Sequence, residues 1–143
     1  MAGAFQRVHL ELPSTIDVLD HVQHVAEDVG RVLGFDEEAL HWTSMAVRET
    51  VINAITHGNK SNPAKLVFID FDVERNGTAS DLVVRVRDQG AGFDPAAIGD
   101  PLAPENILNA SGRGIFLIRQ FMDDVSIHRA PEGGMEVRLS KHL

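Results

Sequence analysis

Five stretches of the chain alternate between apolar and polar residues, the pattern of strands that bury one face. The first runs from Phe5 to Leu12 and places every second residue on its apolar side. The turn signals Asn76-Gly77 and Pro131-Glu132-Gly133-Gly134 separate later strands and predict two hairpins. The remaining strands are expected at residues 66–73, 82–86, 125–127 and 135–139.

Three other stretches repeat apolar residues at steps of three and four, which predicts amphipathic helices. The first helix is expected to start at a Ser14 N-cap, with Asp17 in the position of a capping-box acid, and to end near Gly34. Its core-facing residues are predicted to be Ile16, Leu19, Val22, Ala26, Val29 and Leu33.

The second helix is expected to begin after an Asp36 cap and to run to about Gly58, and glycines at 112 and 114 open the third. The apolar stripe of the second helix comprises Leu40, Val47, Val51, Ala54 and Ile55. Between the third strand and the third helix, residues 96–111 lose any periodicity, which is typical of a functional lid or a disordered segment.

The predicted order is β-α-α-β-β-(lid)-α-β-β. A chain of 143 residues is long enough to bury a core, so we expect one domain that spans residues 1–143. Grouped helices and hairpin strands indicate an α+β fold, a two-layer sandwich. We expect a mixed, mostly antiparallel sheet with the helices on one face.

Composition excludes several classes of protein. The formal charge of −8, with no basic cluster, argues against direct nucleic-acid binding. Absence of cysteine excludes disulfides and thiolate chemistry, and it fits a cytoplasmic location. No apolar stretch reaches transmembrane length and the N-terminus has no signal-peptide core, so no membrane association is expected.

A polar row lies on the second helix. Glu49, Asn53 and His57 are four residues apart, so on an α-helix they stack along the side away from the apolar stripe. A polar row in apolar surroundings requires protein, metal or ligand partners. Glu49 is either a general base or an acid paired with Arg48. Asn53 is either a Mg²⁺ ligand or locally satisfied, and His57 is better explained as a packed histidine or a partner of the helix dipole.

A carboxylate beside glycines follows the third strand. Asp88 continues the inward-facing phase of that strand, and Gly90 and Gly92 provide backbone that a ligand can approach closely. Such a carboxylate can accept a hydrogen bond from an exocyclic amine such as that of adenine. A tight turn closed by local Asp-to-backbone bonds explains the same residues equally well.

Glycines also open the third helix. Gly112-Arg113-Gly114 places backbone N–H groups and a helix dipole where phosphate oxygens can bind, although a glycine-rich start of a helix also has steric causes. Neither a Walker A nor a Rossmann glycine pattern is present. Arg113 either stabilises phosphate charge or points to solvent.

Together these motifs resemble the Bergerat-type ATP-binding fold, and within it the anti-sigma factor serine kinases. The second glycine box is shorter than in the larger relatives. The resemblance covers nearly the whole chain. It is carried by Glu49-x-x-x-Asn53-Ala54, Asp88-x-Gly90-x-Gly92-Phe93, Gly112-Arg113-Gly114-Ile115, His57-Gly58-Asn59, the run 114–119 and Met122-Asp123.

The resemblance implies ATP and Mg²⁺ as cofactors. Glu49 would be the general base, Asn53 the Mg²⁺ ligand and Asp88 the adenine reader, under an ATP lid of about Pro95–Ser111. The wider nucleotide-binding set would comprise His57, Gly90, Gly92, Gly112, Arg113 and Gly114.

The implied function is an ATP-dependent protein serine kinase that acts as an anti-sigma factor in partner switching. Its partners would be a sigma factor and an anti-sigma factor antagonist, and the family implies a homodimer. Two alternatives remain: a nucleotide-binding module that sequesters a partner without phosphotransfer, and a detached histidine-kinase catalytic domain. The absence of a phosphoacceptor helix pair disfavours a complete sensor histidine kinase.

Overall fold

The computed structural model describes residues 7–91 and 114–143. A 3₁₀ turn, Ile16–Val18, precedes the first helix, and a π-helical segment, Ala54–Gly58, continues the second. The strands are β1 Val8–Pro13, β2 Leu66–Asn76, β3 Ala79–Arg87, β4 Asp124–Arg129 and β5 Met135–His142. The α-helices are α1 Leu19–Val32, α2 Glu37–Asn53 and α3 Gly114–Phe121. The predicted order of elements is confirmed.

The five strands form one sheet in the order β1-β2-β3-β5-β4, and all four pairings are antiparallel. The expectation of a mostly antiparallel sheet is confirmed, but the parallel pair that a mixed sheet requires does not occur among the described strands. The reason is that β5, the return strand of the last hairpin, lies beside β3. Had β4 taken that place in the same orientation, it would have run parallel to β3.

Helices α1 and α2 pack against one face of the sheet and enclose the core. The residues predicted to face inward from β2 and β3 are buried, with the exception of Val73, which is half-buried. All five residues of the predicted α2 stripe are buried as well. The side chains with no exposed surface include Val22, Val47, Val51, Ile55, Val67, Ile69 and Val84.

The start of α1 differs from the prediction. Ile16 was expected in the core but is 58% exposed, because residues 16–18 form the 3₁₀ turn and the α-helical periodicity begins only at Leu19. The prediction of a Ser14 N-cap is wrong: its buried hydroxyl donates to the carbonyl of Lys65 at 2.8 Å. Asp36 is a helix cap as predicted, since its Oδ1 accepts the N–H of Ala39 at 2.8 Å.

The outer face of the sheet, opposite the helices, carries ion pairs between side chains of different strands. Arg85 contacts Asp72 at 3.1 Å, and Arg138 contacts Glu74 at 2.8 Å. Such partly exposed pairs contribute little to stability individually. Most of the buried apolar residues thus lie on the helical side of the sheet, and the charged pairs lie on the other.

Candidate functional site

Glu49 lies in the penultimate turn of α2, half-buried, and forms no ion pair with any described residue. Arg48, the neighbour that could have neutralised it, instead contacts Asp20 at 3.1 Å and the Gln23 side-chain oxygen at 3.2 Å on the α1 side. The interpretation of Glu49 as half of a local pair with Arg48 is therefore wrong. Its carboxylate is available to a ligand.

Asn53, one turn later, has a side-chain oxygen that is enclosed and accepts no hydrogen bond within the described part of the chain. An unsatisfied buried polar atom costs about 1–3 kcal/mol, and native structures contain few of them. The interpretation of Asn53 as fully satisfied by local contacts thus fails for Oδ1. Only a hydrogen-bond donor or a cation could satisfy this oxygen, and it lies on the same face of α2 as Glu49.

The polar row ends at Asn53, because the following five residues form a π-helical segment closed by an N–H of Asn59 to the carbonyl of Ala54 at 2.8 Å. A π turn is wider than an α turn, so His57 does not lie one turn above Asn53. His57 is exposed. Its assignment to the nucleotide-binding set stays a prediction.

Asp88 lies at the end of β3 with only 5% of its surface exposed. Its Oδ1 accepts the N–H of Gly90 at 2.9 Å and that of Met135 at 3.1 Å, while its own N–H donates to the Met135 carbonyl at 3.0 Å. The bond to Gly90 is the local turn considered above, so that interpretation is correct for one oxygen. The other oxygen, Oδ2, lies on the side of Gly58.

Three glycines surround Asp88 too closely to carry a side chain. A Cβ on Gly58 would lie 2.1 Å from Asp88 Oδ2, one on Gly90 would lie 2.0 Å from the Gly58 carbonyl oxygen, and one on Gly134 would lie 2.2 Å from the Asp88 carbonyl oxygen. Gly90 was predicted to shape the site, whereas Gly58 and Gly134 were not. Gly134 was visible only as a turn residue, since its contact with Asp88 joins positions far apart in the chain.

Asn59 is a further residue whose part in the site the sequence did not reveal. It is 0% exposed, its amide nitrogen donates to Ser14 Oγ and to the Leu66 carbonyl, and its Oδ1 accepts the N–H of Gln89 at 2.7 Å. Because Gln89 adjoins Asp88, this side chain ties the end of the π-helical segment to the loop that follows β3.

The structure describes only some of the remaining predicted site residues. Gly92, Gly112, Arg113 and the predicted lid lie outside the described residues, and Gly114 is the first residue of α3. Phe121, at the far end of α3, stacks on Trp42 of α2 with ring centroids 4.1 Å apart.

α3 packs along α2, and Trp42 lies near the start of α2. The first residues of α3 must therefore lie toward the end of α2 that carries Asn53. No helix within residues 7–91 and 114–143 has the length and apolar character needed to cross a bilayer.

The chain resembles known proteins in sequence. It aligns with the anti-sigma F factor of Bacillus subtilis (strain 168) at 40% identity over 101 residues, which are 68% of this chain and 65% of that protein. The chain thus spans less than two thirds of that relative's length. The serine-protein kinase RsbW of Oceanobacillus iheyensis is 24% identical over 145 residues, covering 97% of this chain and 88% of that protein.

Solved structures share the fold. The RsbU and RsbW domains of a Mycobacterium tuberculosis protein match with a TM-score of 0.66 at 17% identity, covering 96% of this chain and 32% of that one. The SiaB-SiaC complex from Pseudomonas aeruginosa matches with a TM-score of 0.60 at 11% identity, covering 93% of this chain and 88% of that one.

A sequence profile described as the histidine kinase-like ATPase domain matches residues 12–141, which span the fold from the end of β1 almost to the end of β5. The profile thus covers both α2, with Glu49 and Asn53, and the end of β3, with Asp88. The chain belongs to the histidine kinase-like ATPase domain family.

Proposed function

We propose that the chain is an ATP-dependent protein serine kinase that acts as an anti-sigma factor in the cytoplasm and phosphorylates a serine of an anti-sigma factor antagonist. One observation carries the proposal: Glu49, half-buried and without an ion pair among the described residues, lies one turn from an Asn53 oxygen that accepts no hydrogen bond from them. The names of the relatives, an anti-sigma F factor and a serine-protein kinase, supply the substrate class.

Asp88 reads the adenine base in this proposal. Two backbone N–H groups hold Oδ1, so the carboxylate cannot rotate freely. Oδ2 then accepts the exocyclic amine of adenine, while the absence of a Cβ on Gly90 lets the Gly58 carbonyl pack closely against the loop that holds Asp88. The predicted phosphate-binding residues, Gly112, Arg113 and Gly114, complete the nucleotide site.

Asn53 would hold magnesium at the phosphate end of the site. The fit rests on its enclosed amide oxygen, which lacks a donor among the described residues and is a hard ligand of the kind Mg²⁺ accepts. In nucleotide sites this ion takes only one or two protein ligands and completes its shell with phosphates and water. When bound, it supplies charge neutralisation to the transferring phosphoryl group.

Glu49 is the general base. It accepts the proton of the serine hydroxyl as the serine oxygen bonds to the γ-phosphorus and the bond from that phosphorus to the β–γ bridging oxygen breaks, which releases ADP. A carboxylate already paired with Arg48 would be a weaker base. The contacts of Arg48 with Asp20 and Gln23 hold its guanidinium on the α1 side.

The test uses Glu49→Gln, which preserves shape and removes the base. We expect phosphate transfer from γ-labelled ATP to a purified antagonist to fall by about 10²–10⁴-fold, the usual contribution of a general base. The Kd for ATP should stay unchanged. Glu38→Gln, in the first turn of the same helix, is the matched control and should transfer phosphate at the wild-type rate.

Unchanged transfer by Glu49→Gln would refute the catalytic assignment. Stable partner binding by the wild-type protein with no transfer at all would favour the sequestering module. An acid-labile product would instead identify phosphohistidine and a histidine kinase. Phosphosite mapping on the recovered partner separates these outcomes.

A further inference from the structure

Asn59 forms a buried junction among three segments that are distant in the sequence. Its amide nitrogen donates to Ser14 Oγ at 2.7 Å, just after β1, and to the carbonyl of Leu66 at 3.0 Å, at the start of β2. Its oxygen accepts the Gln89 N–H at 2.7 Å, just after β3. Every polar atom of this fully buried side chain therefore has a partner.

A second set of hydrogen bonds joins the Asp88 loop to the first residue of β2. The Gln89 side-chain oxygen accepts the N–H of Leu66 at 2.7 Å, while Asn59 binds the carbonyl of the same Leu66. The backbone of Gln89 is thus fixed through its N–H and its side chain through the first residue of β2. Asp88, directly before Gln89, is therefore held in position on this side.

Asn59 also fixes the wall against which Asp88 Oδ2 lies. It directly follows Gly58, whose Cα faces Oδ2 and whose carbonyl faces Gly90. Its own N–H is part of the π-helical closure to Ala54. One side chain therefore sets the relative position of the two segments between which the carboxylate is held.

We propose that Asn59 is a positioning residue that orients the Asp88 carboxylate toward the exocyclic amine of the nucleotide base; this inference rests on the proposed function. Asn59 itself does not touch the nucleotide. Its loss lets the loop after β3 move, and the hydrogen bond from the amine to Asp88 lengthens or bends. The contribution that the amine makes to binding is then lost, whereas phosphate binding is not.

A purely structural role makes a different prediction. If Asn59 only stabilised the fold, its removal would lower the melting temperature and weaken all nucleotides by the same factor. The discriminating quantity is thus a ratio: the Kd of purine riboside triphosphate, which lacks the exocyclic amine, divided by the Kd of ATP. We measure both by calorimetry on the full chain with Mg²⁺, at a temperature where every variant is folded.

For the wild-type protein we expect a ratio of about 10–100, the value of one hydrogen bond to a charged acceptor. Asn59→Ala should reduce it to within about threefold of unity, as should Asp88→Asn, which alters the acceptor itself. Ser14→Ala is the matched control, because it removes the hydroxyl at the other side of Asn59 and leaves the bond to Gln89. It should lower the melting temperature and retain the wild-type ratio.

A wild-type ratio in Asn59→Ala, with loss of the ratio in Asp88→Asn, would overturn this inference and leave the proposed function intact. A ratio near unity in the wild-type protein, or one that survives Asp88→Asn, would overturn the adenine assignment and the inference with it. Should Asn59→Ala not fold, Asn59→Ser keeps a small polar group but is too short to span from Ser14 to Gln89. The same ratios decide the question with that variant.

Discussion

The two ends of the candidate site are built in opposite ways. Around Asp88 and Asn59, the polar side chain of the buried asparagine is fully hydrogen-bonded, and three glycines leave no room for a methyl group. At the end of α2, Glu49 has no ionic partner among the described residues and Asn53 Oδ1 has no donor. Asn59 is therefore satisfied without a ligand, whereas Glu49 and Asn53 are not satisfied by the described residues.

This contrast separates two kinds of requirement on a sequence. A completed hydrogen-bond network stabilises the fold and pre-orients a reading group, so changes there act on stability and specificity together. An unsatisfied group lowers the stability of the free protein and is retained because a ligand uses it. The predictions below challenge this division, beginning with the largest expected effect.

Gly134→Ala should be the most disruptive small substitution at the end of the site that contains Asp88 and Asn59. Its φ is +80° and the new Cβ would lie 2.2 Å from a backbone oxygen of Asp88. We expect it to lower the free energy of unfolding by about 4 kcal/mol or more, as for other severe steric changes. Gly133→Ala, with φ +99° and nothing near its Cβ, should cost only about 1 kcal/mol of backbone strain.

Urea unfolding followed by the fluorescence of Trp42, the single tryptophan, measures both variants. If both variants lost the same free energy of unfolding, the surroundings of Asp88 would not be tightly packed. The contrast between the two ends of the site would then be wrong for the Asp88 end.

Replacing each asparagine by leucine, which shares the branching at Cγ and carries no polar atom, should change stability in opposite directions. Asn59→Leu leaves the Gln89 N–H and the Leu66 carbonyl without a partner and should lower the free energy of unfolding by about 3 kcal/mol. Asn53→Leu removes an unsatisfied oxygen and should raise it by about 1 kcal/mol in the absence of nucleotide.

Thermal melts with and without Mg-ATP provide the second half of this test. Added Mg-ATP should raise the melting temperature of the wild-type protein much more than that of Asn53→Leu, because binding to the native state alone stabilises it. Destabilisation of the nucleotide-free protein by Asn53→Leu would show that its oxygen is satisfied in solution.

The smallest effect is expected on the outer face of the sheet, remote from the site. The pKa of His9 is raised above its ordinary value, because its ring is hydrogen-bonded to Glu11 and Asp70. The folded state therefore retains the proton to higher pH than the unfolded state. Its stabilising contribution is full below about pH 6.5 and is lost as the pH rises through the folded-state pKa.

With its side chain 44% exposed, His9 should contribute below about 0.5 kcal/mol. The denaturant midpoint should fall more between pH 6 and pH 8 in the wild-type protein than in His9→Gln. A fall of the same size in both would show that other groups, such as His142 with its own raised pKa, account for the dependence. ATP affinity should be the same in both proteins.

The order of elements was predictable because each strand has one buried face and its alternation is local. The burial of Ile69, Val84 and Asp88 follows directly from that period. The cap at Asp36 was equally predictable, since its bond reaches only three residues ahead.

Features formed between distant residues were not predictable from local pattern. Ser14 has the residue type of an N-cap, but its hydroxyl bonds a carbonyl 51 residues later. Asn59 and Gly134 draw their roles from contacts with the Asp88 loop, which no periodicity shows. Glu49 and Asn53 were predicted as site residues, because their i, i+4 spacing is local, and the structure adds that neither has its expected local partner.

The π-helical segment has a consequence for how the chain tolerates length changes. In an α-helix each residue advances the rotation by about 100°, so a wider turn absorbs one residue more than an α turn would. Deleting a single residue within Ala54–Gly58 would therefore convert the segment to α geometry and keep Asn59 close to the loop beside Asp88. Inserting one residue would instead rotate Asn59 by about 100° away from that loop, because the wider turn is already used. Glu49 and Asn53, which precede the segment, would keep their places. An insertion of one residue at this point would therefore separate the proposed base site at Asp88 from the proposed phosphate end at Glu49 and Asn53, while every candidate residue was still present in the sequence.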